Sequence, residues 1–356
     1  MLASVRRIIT PLRRQQFELL SAVLARLDGE PATLAPWSLG EVTLTGVATG
    51  LTALAGQLGL FEAASPEVIA LVAEQREQVI QRVHQYMQLL PTVMAALDAA
   101  AVPAVAVKGA ALLQSVWGAN GTRPMADIDV IVPAAQRGQA AAAMVAAGLC
   151  PIDSSRFEDT FLAWGDGGVG RTDGESADHN GRVEVHPGWI EFLHGYVVHG
   201  FAVESTPFDH EALTTHVLGH LASTVVRGEV RAVNVVDVWW CVHRPMDWGR
   251  VNALMSASDP RLTAPALWMV QHVMPDLVPS NMLAGEMDRL PRAARRALSA
   301  ASPAEVLRDP SQRTSLRWRQ SFAMSARERA AVVDQMLWPR GDRSLRSATH
   351  RLRGRR

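Results

Sequence analysis

Apolar positions recur at helical spacing from Gln15 to about Ala101: Phe17, Leu20, Val23 and Leu24 share one face, and Val68 to Leu97 forms a long amphipathic run. This predicts an N-terminal helical region over residues 1–101. At Val102 the texture changes to a short β-branched run ending at Val107. Lys108-Gly109 and the helical stretch Ala110 to Trp117 follow, so the order is strand, tight turn, helix. Asn120-Gly121 marks a turn, after which Asp127 to Val132 alternates as a strand. Pro133 then opens an alanine-rich helix to Ala147, with Gly148 as its C-cap. Phe157 to Trp164 and Arg182 to His186 read as a hairpin-like pair joined by a long loop rich in glycine and aspartate. Beyond Phe208 the helical period returns at His210 to Val226, Ala232 to His243 and Trp248 to Met255, with further helices toward Trp338. The expected fold is α/β (α+β): a small mixed-sheet core over 102–207, flanked by helical regions over 1–101 and 208–339. Residues 340–356, mostly arginine, serine and small polar groups, read as a basic solvated tail. There is no internal repeat.

Composition adds constraints without changing that division. The chain has 356 residues, 48% hydrophobic and 20% charged, enough apolar material for a sizeable core. Lys plus Arg and Asp plus Glu both number 35, so any electrostatic function must be local and no nucleic-acid partner is indicated. Cys150 and Cys241 are far apart and form no CxxC, which excludes a cysteine metal site and predicts two buried thiols. The apolar stretch Val47 to Leu60 is short and interrupted by Thr49, Gly50, Gly56 and Gln57, and Arg6, Arg7, Arg13 and Arg14 break any leader-like run. The expectation is a cytoplasmic protein with no membrane partner.

Candidate chemistry lies in the middle third. Asp127 and Asp129, two apart on a strand, point to the same face, and Glu184 on a later strand can complete a carboxylate set. Such a cluster is costly without cations. Two magnesium ions held by carboxylates are a common way to neutralise a triphosphate and align the attacking and leaving oxygens. The Lys108-Gly109 turn offers the other half of a site, because glycine admits close backbone approach and a helix start presents unpaired N–H groups to phosphate. Lys108 and Arg123 add positive charge, and a guanidinium fork suits phosphate.

These residues carry a resemblance. Val107-Lys-Gly-Ala-Ala-Leu112, Arg123-Pro-Met-Ala-Asp-Ile-Asp-Val-Ile-Val132 and Val183-Glu-Val-His186 resemble the uncharacterised nucleotidyltransferase family of bacteria, within the polymerase-β-like superfamily. The likeness extends more loosely to the helical lead-in, to Thr215–His220 and to Asp237–Trp248. It implies a small mixed sheet flanked by helices, with Asp127, Asp129 and Glu184 as catalytic carboxylates and metal ligands for Mg2+, or Mn2+ in its place. Lys108, Gly109, Ala110 and Arg123 would bind the phosphates of a nucleoside triphosphate such as ATP. Gly109-Ala110 stands where the superfamily has Gly-Ser or Gly-Gly, and Ala126 stands where serine is frequent, so a phosphate-binding hydroxyl is missing.

Other features have plainer accounts. Gly165 to Gly170 spells GxGxxG but no helix follows, so it is read as a flexible hairpin loop. His216 and His220 are one turn apart on a helix without a third metal ligand, which favours packing or a buried polar network with Asp237 over zinc. His186 shares a face with Glu184 and suits either a hydrogen bond to a carboxylate or a structural role. Trp239, Trp240 and Trp248 are assigned to the helical core. The functional readings are a magnesium-dependent nucleotidyltransferase acting on an acceptor that is a protein or peptide, a small molecule or RNA; a non-catalytic nucleotide-binding or interaction protein on the same fold; and a toxin- or antitoxin-type component.

Overall fold

The computed structural model describes residues 10–117, 121–155, 157–163, 181–193, 196–203, 208–309 and 314–337. The N-terminal region is helical: α1 (Pro11–Leu27), α2 (Leu39–Thr49), α3 (Thr52–Gln57) and the long α4 (Pro66–Ala99). Helix α4 starts where the Ser65 side chain caps the Val68 N–H and Pro66 presets the first turn, and it continues through Pro91. Its buried stripe, from Val68 through Val79, Tyr86 and Val93 to Leu97, faces the core.

The sheet follows: β1 (Val105–Val107), the short helix α5 (Lys108–Leu112) with a π-helical turn over Leu113–Trp117, β2 (Ile128–Val132), α6 (Arg137–Ala146), β3 (Cys150–Ser154), β4 (Asp159–Leu162) and β5 (Arg182–Pro187). Spatial order is β1-β2-β5-β4-β3, with β2 and β5 parallel and the other pairs antiparallel. The β2–β5 register pairs Ile128 with Val183 and Val130 with Val185, which puts these four fully buried residues on one face. The opposite face carries Asp129 beside Glu184, with His186 and Arg182 next along β5. The period of two thus separates core from chemistry.

A two-stranded hairpin, β6 (Ile190–Leu193) and β7 (Tyr196–His199), leads into the C-terminal helices. These are α7 (His210–Arg227), α8 (Ala232–Val242), α9 (Trp248–Ser256), α10 (Ala264–Val273), α11 (Ser280–Arg289), α12 (Arg292–Ser299), α13 (Pro303–Val306), α14 (Leu316–Ser321) and α15 (Ala326–Leu337). Helix α7 begins at the Asp209 cap, ends at left-handed Gly228, and is buried nearly all round by α8, α9 and α10. Gly219 on α7 admits the indole of Trp189, whose Cζ2 lies 2.1 Å from where a Cβ would stand, and this seats the β6–β7 hairpin on the helix. One hydrophobic cluster runs from Leu19 on α1 to Val332 on α15.

The helical spans expected over α4, α7, α8 and α9 agree with these boundaries to within about two residues. Trp239 is buried, and Trp240 and Trp248 pack against the same cluster. Three features differ. Strand β3 and the β6–β7 hairpin carry no clear sequence alternation, and the helix after Lys108 changes to π geometry at Leu113. Cys150 is exposed rather than buried because it opens the edge strand β3, whose residues all face solvent; Cys241 is buried as expected. The loop 165–180 and the basic tail 340–356 lie outside the described residues.

His216 is fully buried on α7, with its ring 4.8 Å from that of Trp189 and 6.2 Å from Phe208. Burial, with the charge of Lys108, pushes its pKa down to about 3 from 6.5. The folded state therefore keeps this imidazole neutral while the unfolded chain takes up a proton below about pH 6.5, so stability falls as pH drops from 6.5 toward 3. At pH 5 the loss from this group is about 2 kcal/mol. Urea unfolding at pH 7 and pH 5 checks it: His216→Leu should flatten the pH dependence, and an unchanged slope would contradict the assignment.

Candidate active site

The site forms where β1, β2 and β5 meet the turn into α5. The antiparallel β1–β2 register pairs Val107 with Asp129, so the next residue, Lys108, folds back over the carboxylate. Its Nζ lies 2.6 Å from Asp129 Oδ1. Lys108 takes φ +49°, a left-handed conformation that costs a side-chain-bearing residue about 1 kcal/mol. The ion pair with Asp129 offsets that cost. The left-handed residue of this turn is thus Lys108, one position before Gly109.

Gly109 is needed for another reason. A Cβ there would stand 2.6 Å from Arg123 Nη1 and 3.4 Å from Met125 Cγ. Arg123 cannot give way easily, because Nε and Nη2 donate to the two oxygens of Asp237 at 2.7 and 2.8 Å while Nη1 donates to the Pro124 carbonyl. Gly109→Val is accordingly expected to destabilise the fold by about 2 kcal/mol through overpacking. Chemical denaturation measures this directly, and unaltered stability would show that the turn has room the geometry denies.

Across the strands, Asp129 and Glu184 are register partners, and His186 Nε2 is 2.9 Å from Asp129 Oδ1 and 3.6 Å from Glu184 Oε2. Arg182 Nη2 pairs with Glu184 Oε1 at 2.5 Å. Ligand atoms of Asp129, Glu184 and His186 lie within 4.8 Å of one another, close enough to share a cation. Asp127 is outside that trio, although its charge bears on Asp129 and Glu184. The Tyr86 hydroxyl on α4 donates to the Ala126 carbonyl at 2.5 Å and so anchors the backbone just before Asp127.

Crowded acids show in the proton affinities. Burial and the neighbouring Asp129 push Asp127 up to about 6. Burial with the charges of Asp127 and Asp129 pushes Glu184 up to about 8. Asp129 moves the other way: burial opposes ionisation, but Lys108 and His186 together hold it well below the usual carboxylate range. For Lys108, burial favours the neutral amine, yet the carboxylates of Asp129, Glu191, Glu184 and Asp127 outweigh it and raise the ammonium's pKa. For His186, burial also favours the neutral ring, and the hydrogen bond to Asp129 raises it. This group of carboxylates suits a divalent cation that takes oxygen ligands.

A cavity of about 550 Å³ opens beside these groups, with Lys108, Gly109, Ala126, Asp127 and Asp129 on its wall. Glu184 and His186 are not among its lining. Ala110, expected at the phosphate turn, is fully buried and is not among the residues lining the cavity. Arg123 lines the cavity with its fork held by Asp237, and the Trp117 indole donates to the same Asp237 oxygen at 3.1 Å. Asp237 therefore serves Arg123 and Trp117 rather than the histidines of α7. His220 instead approaches Glu191 of β6, Nδ1 to Oε1 at 3.7 Å, and burial notwithstanding, His220 and Lys108 hold Glu191 down to about 2. Glu191 and Tyr86 have no local sequence signal, because their partners His220 and Ala126 are distant in the chain.

Paired acidic residues on one sheet face beside a cation-bearing strand-to-helix turn, on an α+β fold, are the arrangement expected of a nucleotidyltransferase. The chain belongs to the family described as uncharacterised nucleotidyltransferase, whose profile matches residues 44–275. That span includes α4, the whole sheet and helices α7 to α10. Neither the curated proteins nor the solved structures contain a significant match. Among the described residues no helix is long and apolar enough to cross a membrane.

Proposed function

We propose that this protein is a divalent-metal-dependent nucleotidyltransferase of the polymerase-β-like superfamily, working in a bacterial cytoplasm on a nucleoside triphosphate such as ATP. The observation that carries the reading is the β2–β5 register, which sets Asp129 against Glu184 with Asp127 two residues upstream. Asp127, Asp129 and Glu184 would hold Mg2+, or Mn2+, because carboxylate oxygens suit both ions. His186 then acts on Asp129, orienting it through the hydrogen bond. The metal would supply charge neutralisation on the phosphates.

The chain's own groups take the remaining roles. The Lys108–Gly109 turn would offer backbone N–H groups, and Lys108, Gly109, Ala110 and Arg123 would make up the phosphate side of the site, its charge coming from Lys108 and Arg123. Glu184, with its proton affinity lowered by the bound cation, would accept the proton of an acceptor hydroxyl. In the reaction the acceptor oxygen bonds to the α-phosphorus, the bond to the bridging oxygen breaks, and pyrophosphate leaves. Acceptor candidates are a protein or peptide side chain, a small molecule or an RNA end. A second reading, nucleotide binding without transfer, is favoured by Lys108 being clamped to Asp129 at 2.6 Å and by the absence of a hydroxyl at position 110.

Incubation of the purified protein and magnesium with cell extract and each triphosphate labelled at the α or the γ position decides between them. Transfer of α label supports the proposal; γ label alone would indicate phosphoryl transfer; retained binding with no transfer of either would establish the second reading.

A further inference from the structure

The cavity beside the carboxylates has a second wall of opposite character. Arg227 ends α7, Arg231 precedes α8, Arg308 follows α13 and Arg319 lies in α14, and all four line the same space as Asp127 and Asp129. Separate segments of the C-terminal region thus bring four guanidinium groups to one concavity in a chain whose overall charge is zero. Among the described residues, the carboxylates on that wall are Glu229 and Asp309. Glu229 is half exposed and 3.7 Å from Arg227 Nε, while Asp309 accepts a hydrogen bond from Thr10 Oγ1 at 2.7 Å. Among the described lining residues the guanidinium groups of this wall outnumber its carboxylates, and a concave wall rich in one sign of charge concentrates anions.

The phosphate turn opposite needs such help. Lys108 is paired with Asp129, Arg123 is forked onto Asp237, and Ala110 presents no hydroxyl to the cavity. Arg231 reaches toward this loop: its Nη2 stands 2.8 Å from where a Cβ on Gly50 would be, a point 3.1 Å from Pro124. We propose that the wall formed by Arg227, Arg231, Arg308 and Arg319 is an oligophosphate-binding subsite, which takes phosphate groups lying away from the reacting carboxylates. It rests on the nucleotidyl-transfer reading only for the source of those phosphates, either the donor's own triphosphate tail or a phosphorylated acceptor. Guanidinium forks match phosphate oxygens two at a time, which suits this wall to an extended polyanion.

Inorganic tripolyphosphate, titrated calorimetrically into the full chain without divalent metal, tests the subsite. The wild-type protein should bind it, more weakly as KCl rises. Arg227→Gln and Arg308→Gln should each weaken binding about tenfold, and the double variant more, with melting curves confirming the fold. Should either glutamine variant fail to fold, Arg227→Lys and Arg308→Lys, which keep the charge and lose the fork, should still bind several-fold more weakly than wild type. Absence of wild-type binding, or wild-type affinity in the folded variants, overturns the proposal. A repeat titration with a non-hydrolysable triphosphate and magnesium present identifies the source: competition assigns the wall to the donor, simultaneous binding to a phosphorylated acceptor. The two readings fail separately. Arginine-dependent tripolyphosphate binding without nucleotidyl transfer removes the proposed activity alone, and transfer with arginine-independent binding removes the subsite alone.

Discussion

Asp129→Asn should lower nucleotidyl transfer by about three orders of magnitude, because it removes the carboxylate on which the rest of the site converges. Lys108 Nζ and His186 Nε2 both meet its Oδ1, and Glu184 is its register partner across β2 and β5. The same change should cost stability, since a residue 2% exposed would no longer supply the charge that balances Lys108. Asp127→Asn separates the two effects. It removes a charge that raises Glu184 and repels Asp129, so activity should fall while stability holds or improves. Transfer rates at saturating magnesium, beside urea midpoints for the same preparations, give the comparison. Full activity in both variants would remove these aspartates from the mechanism.

Sequence periodicity reveals the parts of this fold whose stabilising contacts repeat locally. Apolar residues at helical spacing locate α4 and α7, and the alternation after Arg123 places Asp127 and Asp129 on one face before any partner strand is known. Glu184 is legible as a candidate third carboxylate on an alternating strand; its meeting with Asp129 depends on a parallel pairing 55 residues away in sequence, which no local pattern encodes. Strand β3 is missed because an edge strand with solvent on both faces need not alternate, and β6–β7 because Trp189, Gly200 and Gly219 must come together before the hairpin has a surface to lie on. Lys108 and Arg123 are found as cations near the site. Their ion-pair partners were not legible, because each is committed to an aspartate by tertiary contact, Lys108 to Asp129 and Arg123 to Asp237.

The Arg123–Asp237 pair leads to the second large effect, this time on stability. Both residues are under a tenth exposed, and the pair is bidentate across 114 positions of sequence, tying the loop that carries Asp127 to helix α8. Burial opposes the charged guanidinium, and Asp237 more than restores it. Asp237→Ala leaves a buried cation without its partner and the Trp117 indole without an acceptor, so it should cost about 3–5 kcal/mol. Replacing both ends by apolar residues, Arg123→Met with Asp237→Leu, should cost much less than the single change, because no charge is then stranded. Asp237 does not line the cavity, yet its loss should reduce transfer as well, since Arg123 Nη1 holds the Pro124 carbonyl and lies against Gly109. Denaturation curves for the single and double variants, with transfer assayed well below the melting temperature, test both parts: a double variant as unstable as Asp237→Ala would show that shape rather than charge is what the pair supplies.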